Sequence, residues 1–157
     1  MLIVYIVNPN NPTGSFVSIS KLIELTKIHN DTLFVIDEVY YEFVGQSISN
    51  FAVTVENIIV TRTFSKAFAL ASFRSGYVIA SKNNVQRLKK IRNPKNISTL
   101  SQIAAEAAPD SVDYMLKYVD DVSKAKEYFV SRLSKINEIT LYPSVANFVM
   151  LRFNLLC

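Results

Sequence analysis

Residues 57–80 read Asn57-Ile58-Ile59-Val60-Thr61-Arg62-Thr63-Phe64-Ser65-Lys66-Ala67-Phe68-Ala69-Leu70-Ala71-Ser72-Phe73-Arg74-Ser75-Gly76-Tyr77-Val78-Ile79-Ala80. One apolar run, Ile58-Ile59-Val60, enters this stretch, and a second, Tyr77-Val78-Ile79-Ala80, leaves it after Gly76. The runs predict buried strands over 57–62 and 76–80, and the connection between them carries Thr63, Ser65, Lys66 and Arg74. Side chains at the end of a sheet strand stand on a rigid base and face a crevice. A lysine there is partly desolvated, which favours the free amine and makes it a nucleophile. Two hydroxyls and a guanidinium beside it form a site for a phosphate dianion. An amine nucleophile next to a phosphate site suggests pyridoxal phosphate, an aldehyde that carries its own phosphate. A solvated loop lysine, with Arg74 paired to some carboxylate, is the alternative that this stretch alone leaves open.

Upstream, residues 2–7 form a continuous apolar strand that ends at Asn8-Pro9. The run is too short to span a bilayer and lacks a basic leader, so it reads as a buried strand rather than a signal peptide. Asn8-Pro9-Asn10-Asn11-Pro12-Thr13-Gly14 follows, with two prolines and a glycine to fix its backbone. Ser18 is placed to cap a helix over 19–29, whose Ile19, Leu22, Ile23 and Ile28 make a partial apolar stripe. Leu33-Phe34-Val35-Ile36 is the next buried strand, with Asp37 at its end. Strands alternating with helical stretches predict an α/β domain with a mainly parallel sheet.

Asp37 is costly at the mouth of a buried strand unless a cation faces it. A protonated pyridine nitrogen would be that cation, with the carboxylate keeping the ring an electron sink. Tyr40, three residues on, can share a face with Asp37 and hydrogen-bond a ring oxygen, and Asn11 can donate its amide to the same oxygen. A helix cap or salt bridge for Asp37, and a core role for Tyr40, are the plainer readings. Glu38 and Glu42 read as a solvated face. Asn11, Asp37 with Tyr40, and Thr63-Ser65-Lys66 all belong at one edge of a parallel sheet, where such sheets bind ligands.

Past Ser81 the pattern turns helical: 84–92, 100–108, then a long helix over 110–136 opened by Pro109. Ile139 to Tyr142 and Asn147 to Phe153 read as two further strands split by Pro143-Ser144. A chain of 157 residues, half of them hydrophobic and with a net charge of +4, is an ordinary globular composition. Residues 82–95 hold six Lys or Arg and no acid. No aromatic is interleaved for base stacking, so a solvated helix face is the reading and no nucleic-acid partner is expected. No metal site and no membrane partner are expected either. The one cysteine, Cys157, permits no internal disulfide and fits a reducing cytoplasm.

NPNNPTG at 8–14, DEVYYEF at 37–43, RTFSKAFALASFRSGY at 62–77 and PSVANFVMLRF at 143–153 together resemble the fold-type I pyridoxal-phosphate aminotransferases of class I/II. The resemblance is greatest to histidinol-phosphate aminotransferases. It runs over nearly the whole chain, with the motifs in order and at the right spacing. It implies an α/β fold that is part of the pyridoxal-phosphate-dependent transferase large domain. The strand order follows the chain, with the last strand antiparallel. A long helix and the start of a small α+β domain follow. The divisions implied are 1–108 for a partial large domain, 109–136 for an interdomain helix and 137–157 for the incomplete small domain. The chain resembles a partial copy lacking both ends.

By position, the resemblance implies that Lys66 takes the cofactor covalently and shuttles the proton of the substrate's alpha carbon. Asp37 pairs with the pyridine nitrogen, Tyr40 and Asn11 contact the ring hydroxyl, Thr63, Ser65 and Arg74 hold the phosphate, and Asn147 approaches the substrate. The implied reaction is amino transfer between an amino-acid donor and a keto acceptor, with a phosphorylated amino alcohol or its ketone as substrate. The implied full-length form is a cytoplasmic homodimer in amino acid biosynthesis. The alternatives are a related enzyme such as a phospho-amino-acid decarboxylase, and a catalytically inactive fragment of the fold. Ala69 and Ser72 stand where the family usually has glycine, which implies a slightly altered turn between lysine and arginine.

Overall fold

The computed structural model describes residues 2–154. Strand β1 (Leu2–Val7) runs into the proline-rich turn and helix α1 (Ile19–Ile28). Strand β2 (Thr32–Asp37), the short helix α2 (Ser49–Ala52), β3 (Ile58–Thr63) and β4 (Gly76–Ile79) complete a four-stranded sheet of order β1-β2-β3-β4. β1, β2 and β3 are parallel, and β4 returns antiparallel to β3, as expected. The 63–75 connection is too short for the crossover that a parallel return requires.

The core lies on one face of this sheet. Phe34 and Ile36 of β2, Ile58 and Val60 of β3, Leu22 of α1, and Ile48 and Ala52 around α2 form one buried cluster. Each large side chain here contributes about 1.5–3 kcal/mol by leaving water. The alternate residues point to the other face, where Leu33, Val35 and Ile59 are half-buried and Ile3 and Tyr5 are each 59% exposed. Purely parallel sheets are ordinarily covered on both faces. Among the described residues this sheet is well covered on one.

Helix α1 begins where expected, but Ser18 makes no cap bond to it; its hydroxyl pairs with that of Ser20 at 3.2 Å. Serine caps occur further on: Ser81 accepts from the Asn84 N–H at the start of α3 (Lys82–Ile91), and Ser98 from the Ser101 N–H at the start of α4 (Thr99–Ala107). The expected long helix is shorter. A 3₁₀ turn at Ala108–Ser111 holds Pro109, and α5 then runs Val112–Leu133. Its apolar stripe is largely unburied: Met115 is enclosed, whereas Leu116 is 54% and Phe129 47% exposed.

β5 (Ile139–Tyr142) and β6 (Met150–Phe153) make a separate antiparallel pair. The strand expected from Asn147 begins only at Met150, because the preceding residues fold back onto the first sheet's loops. The Val145 N–H donates to the Gly14 carbonyl at 3.0 Å, and Ala146 is fully buried. Gly14 has φ +70°, and a Cβ there would lie 2.1 Å from Ser144 Oγ. Its lack of a side chain is what permits this approach. Lys126 of α5 holds the same segment, its Nζ donating to the carbonyls of Ser144 (3.0 Å) and Ala146 (2.7 Å). No helix among the described residues is long and apolar enough to cross a membrane.

Candidate active site

The register fixes where the chemistry collects. Val7 of β1, Asp37 of β2 and Thr61 of β3 lie in one row across the sheet, and Thr63 pairs with Gly76. The C-terminal ends of three parallel strands therefore open on the same side. Residues after β1, β2 and β3 meet there: Asn11, Asp37, Tyr40, Thr63, Ser65, Lys66 and Arg74, together with Val7 and Val39, line one cavity of about 380 Å³.

Asp37 is held from two sides. Thr61 Oγ1 donates to Oδ1 at 3.1 Å, and the Tyr5 phenol donates to Oδ2. Burial, then the hydrogen bond and the charge of Asp37, push the Tyr5 phenol up to about 12. Asn11 Nδ2 donates to the Tyr40 hydroxyl at 2.8 Å, so the two residues expected at one ring oxygen already touch each other. Tyr40 is buried, with Phe148 edge-on to it at 5.1 Å between centroids. Lys66 Nζ lies 5.2 Å from the centroid of the Tyr40 ring. Among the described residues Lys66 has no carboxylate within ion-pair distance.

The 63–75 connection is tied to itself by backbone and side-chain bonds. Thr63 Oγ1 donates to the Ser75 carbonyl (3.2 Å) and accepts from the Ser65 N–H (3.1 Å). The Ala69 N–H reaches the Lys66 carbonyl (3.1 Å), and the Leu70 N–H reaches that of Phe64 (3.0 Å). Ala69 takes φ +56° and Arg74 φ +48°. The turn thus keeps a left-handed angle at Ala69 despite the missing glycine, whereas Ser72 sits in a 3₁₀ turn. Arg74 is exposed and its guanidinium donates to the Ala71 carbonyl at 3.1 Å.

Glu38 and Glu42 are not a solvated face. Glu38 is 1% exposed, and Arg62 donates to its Oε2 through Nε (3.1 Å) and a terminal nitrogen (2.9 Å). The Ser47 hydroxyl donates to that same oxygen and the Ile48 N–H to the other, while the Arg62 guanidinium stacks 3.5 Å from the centre of Tyr41. Both carboxyl oxygens of Glu42 are enclosed without a partner among the described residues, and burial raises its pKa above the usual carboxylate value. The alternation of β2 signals this poorly, because Glu38 follows the strand's last residue. Asn147 is half-buried in the 143–149 segment and is not among the residues lining the cavity. Tyr5 was missed in the sequence. Its signal is parity: it lies on the same strand face as Val7, two residues before the row of Asp37.

The aminotransferase class I and II family model matches residues 2–154. A dihydroxyacetone phosphate transaminase of Campylobacter jejuni is 46% identical over 153 residues, which is 96% of this chain and 42% of the relative. A histidinol-phosphate aminotransferase of Thermoanaerobacter pseudethanolicus is 38% identical over 151 residues, again 96% and 42%. The chain therefore spans well under half the length of these relatives. The crystal structure of histidinol-phosphate aminotransferase from Sinorhizobium meliloti, in complex with pyridoxal 5'-phosphate, superposes with a TM-score of 0.87 at 30% identity. The match covers 95% of this chain and 41% of that one.

Proposed function

The chain belongs to the class I and II aminotransferase family, and from that premise we propose that it carries the pyridoxal-phosphate site of a transaminase, with Lys66 as the attaching amine. The observation that carries the reading is the convergence of a lysine amine, a doubly hydrogen-bonded carboxylate, two hydroxyls and a guanidinium on one cavity. That donor set fits the group chemically. The amine suits an aldehyde, the carboxylate suits a protonated ring nitrogen, and the hydroxyls and guanidinium suit a phosphate. A cavity of about 380 Å³ lies in the range of small-molecule sites.

Pyridoxal phosphate, when bound, supplies an aldehyde and a protonated ring that accepts electron density. The chain's own residues do the remaining work. Thr63, Ser65 and Arg74 hold the phosphate. Asp37 orients the ring and keeps its nitrogen protonated. Asn11 and Tyr40, already bonded to each other, present an amide and a phenol to the ring hydroxyl. Lys66 Nζ, beside the Tyr40 ring, would hold the cofactor through its aldehyde and, when free, would take and return the proton at the substrate's alpha carbon. Asn147 belongs to the substrate side by its family position alone.

The substrate is a small phosphate ester with its amine or ketone on the neighbouring carbon. The compounds in the names of the two relatives, dihydroxyacetone phosphate and histidinol phosphate, share that unit and differ beyond it. An amino acid is the nitrogen donor. We read residues 1–108 as part of the large domain, 109–136 as the helix that leaves it and 137–157 as the start of the small domain. The separate β5–β6 pair supports this division. The working form is a cytoplasmic homodimer in amino acid biosynthesis, a reading supported by the family and by the single cysteine.

Titration with pyridoxal phosphate tests the site. Saturable binding is expected to weaken about tenfold or more in Arg74→Ala, the loss of one charged hydrogen-bonding partner. Binding of pyridoxal, which lacks the phosphate, is expected to be unaffected. Equal loss for both ligands would contradict the role of Arg74.

A further inference from the structure

We propose that Tyr5 is a positioning residue which, with Thr61, clamps the Asp37 carboxylate in the orientation that meets the cofactor's ring nitrogen. The proposal rests on the reading of the cavity as a pyridoxal-phosphate site.

Tyr5 is the only polar side chain in β1, whose other residues are Leu2, Ile3, Val4, Ile6 and Val7. Val4 and Ile6 pack on the core cluster, so Tyr5 points to the opposite face. There it is 59% exposed, and hydrophobic burial gives little reason for a tyrosine over any other strand-forming residue. What distinguishes it from phenylalanine is one hydroxyl, and that hydroxyl donates to Asp37 Oδ2. The row Val7, Asp37, Thr61 puts Tyr5 diagonally before Asp37 on one neighbouring strand and Thr61 directly beside it on the other. Each carboxylate oxygen thus has its own hydroxyl donor, from opposite sides, which resists rotation of the carboxylate. A carboxylate has about four lone-pair sites, so two donors leave room for a ring N–H.

The phenol, pushed up to about 12 by burial and by Asp37, stays protonated at working pH. It is a fixed donor and has no part in proton transfer. Thr61 lies on an interior strand with neighbours on both sides, whereas Tyr5 lies on the outer strand β1, so the two donors differ in what else they support.

Two readouts test the clamp. In the ligand-free chain, the Tyr5 ring-carbon NMR resonance is identified by its loss in Tyr5→Phe. It is expected to remain that of a neutral phenol at about pH 11 and to ionise near 10 in Asp37→Asn. Titration near 10 in the unsubstituted chain would overturn the hydrogen bond. With pyridoxal phosphate present, Tyr5→Phe is expected to bind about tenfold more weakly. The pKa of the bound cofactor's ring nitrogen, followed by its nitrogen NMR shift, is expected to fall, because a misaligned Asp37 holds the ring proton less well. Thr61→Val is expected to lower the same ring-nitrogen pKa. Unchanged affinity and an unchanged titration in both variants, with thermal melting intact, would overturn the positioning role. If the unsubstituted chain retains no cofactor while the ligand-free titration comes out as expected, the bond stands, and both the cofactor reading and the role resting on it fall.

Discussion

Ala69 is the residue where local geometry and residue type disagree most plainly. Its φ of +56° lies in the left-handed region, which costs an ordinary L-residue roughly 1–2 kcal/mol. Part of that gain is offset in a glycine variant by the greater freedom of its unfolded chain. Ala69→Gly is therefore expected to stabilise the fold by about 0.5–1 kcal/mol, read as a higher denaturant midpoint at unchanged slope. Glu42 gives a pH-dependent expectation. Its carboxyl is raised by burial, so the folded state holds the proton more tightly than the unfolded chain does. Its favourable contribution is present at low pH, below the unfolded value, and is lost as pH rises through the raised folded value. Glu42→Gln, which mimics the neutral acid, should raise the melting temperature at pH 7 and lose that advantage below the ordinary glutamate range near 4.3. At this scale the sequence was legible where a polar residue ended an apolar run, as with Asp37, but Thr61, which ends the run Ile58-Ile59-Val60, was passed over. The sequence was misleading at Glu38, whose enclosure depends on Arg62, Ser47 and the Ile48 N–H, all brought in from elsewhere in the chain.

Among the elements, the segment 143–149 links α5, the proline-rich turn and the cavity wall. Lys126 grips it through two carbonyls, Gly14 admits Ser144, and Phe148 rests edge-on against Tyr40. Burial lowers the Lys126 pKa, yet the amine remains partly open to solvent and its bonds are correspondingly discounted. Lys126→Met is expected to cost about 1 kcal/mol and to speed hydrogen exchange at the Val145 amide, with the α1 amides unchanged. Equal acceleration in both places would mean general destabilisation rather than release of this segment. Gly14→Ala should act more severely on the same contact, because both the Cβ and the left-handed angle oppose it. The strands themselves were legible as apolar runs, whereas their order and the reversal at β4 followed from the family resemblance, which the short 63–75 connection fits. The start of β6 was not, because Asn147-Phe148-Val149 has strand composition but spends it on docking to other loops. The α5 stripe was legible as a pattern, but its period says nothing about what it packs against. Leu116 and Phe129 remain about half exposed among the described residues.

For the molecule as a whole, two features dominate: a cavity at the ends of three parallel strands, and a sheet well covered on one face. β1 is the outer strand, apolar apart from Tyr5, with Leu2 and Ile3 well exposed. An uncharged, proline-free outer strand is a template for pairing with another chain. The 157-residue chain is expected to sediment faster as its concentration rises, and Ile3→Lys should reduce that dependence. A concentration-independent monomer would contradict it. Covalent mapping identifies which amine in the cavity takes the cofactor. The chain is mixed with pyridoxal phosphate, reduced with borohydride, digested and examined by peptide mass spectrometry. Lys66 is expected to carry the added phosphopyridoxyl mass, which is lost in Lys66→Ala, with little elsewhere. Labelling spread over surface lysines and unchanged in Lys66→Ala would contradict this assignment of Lys66.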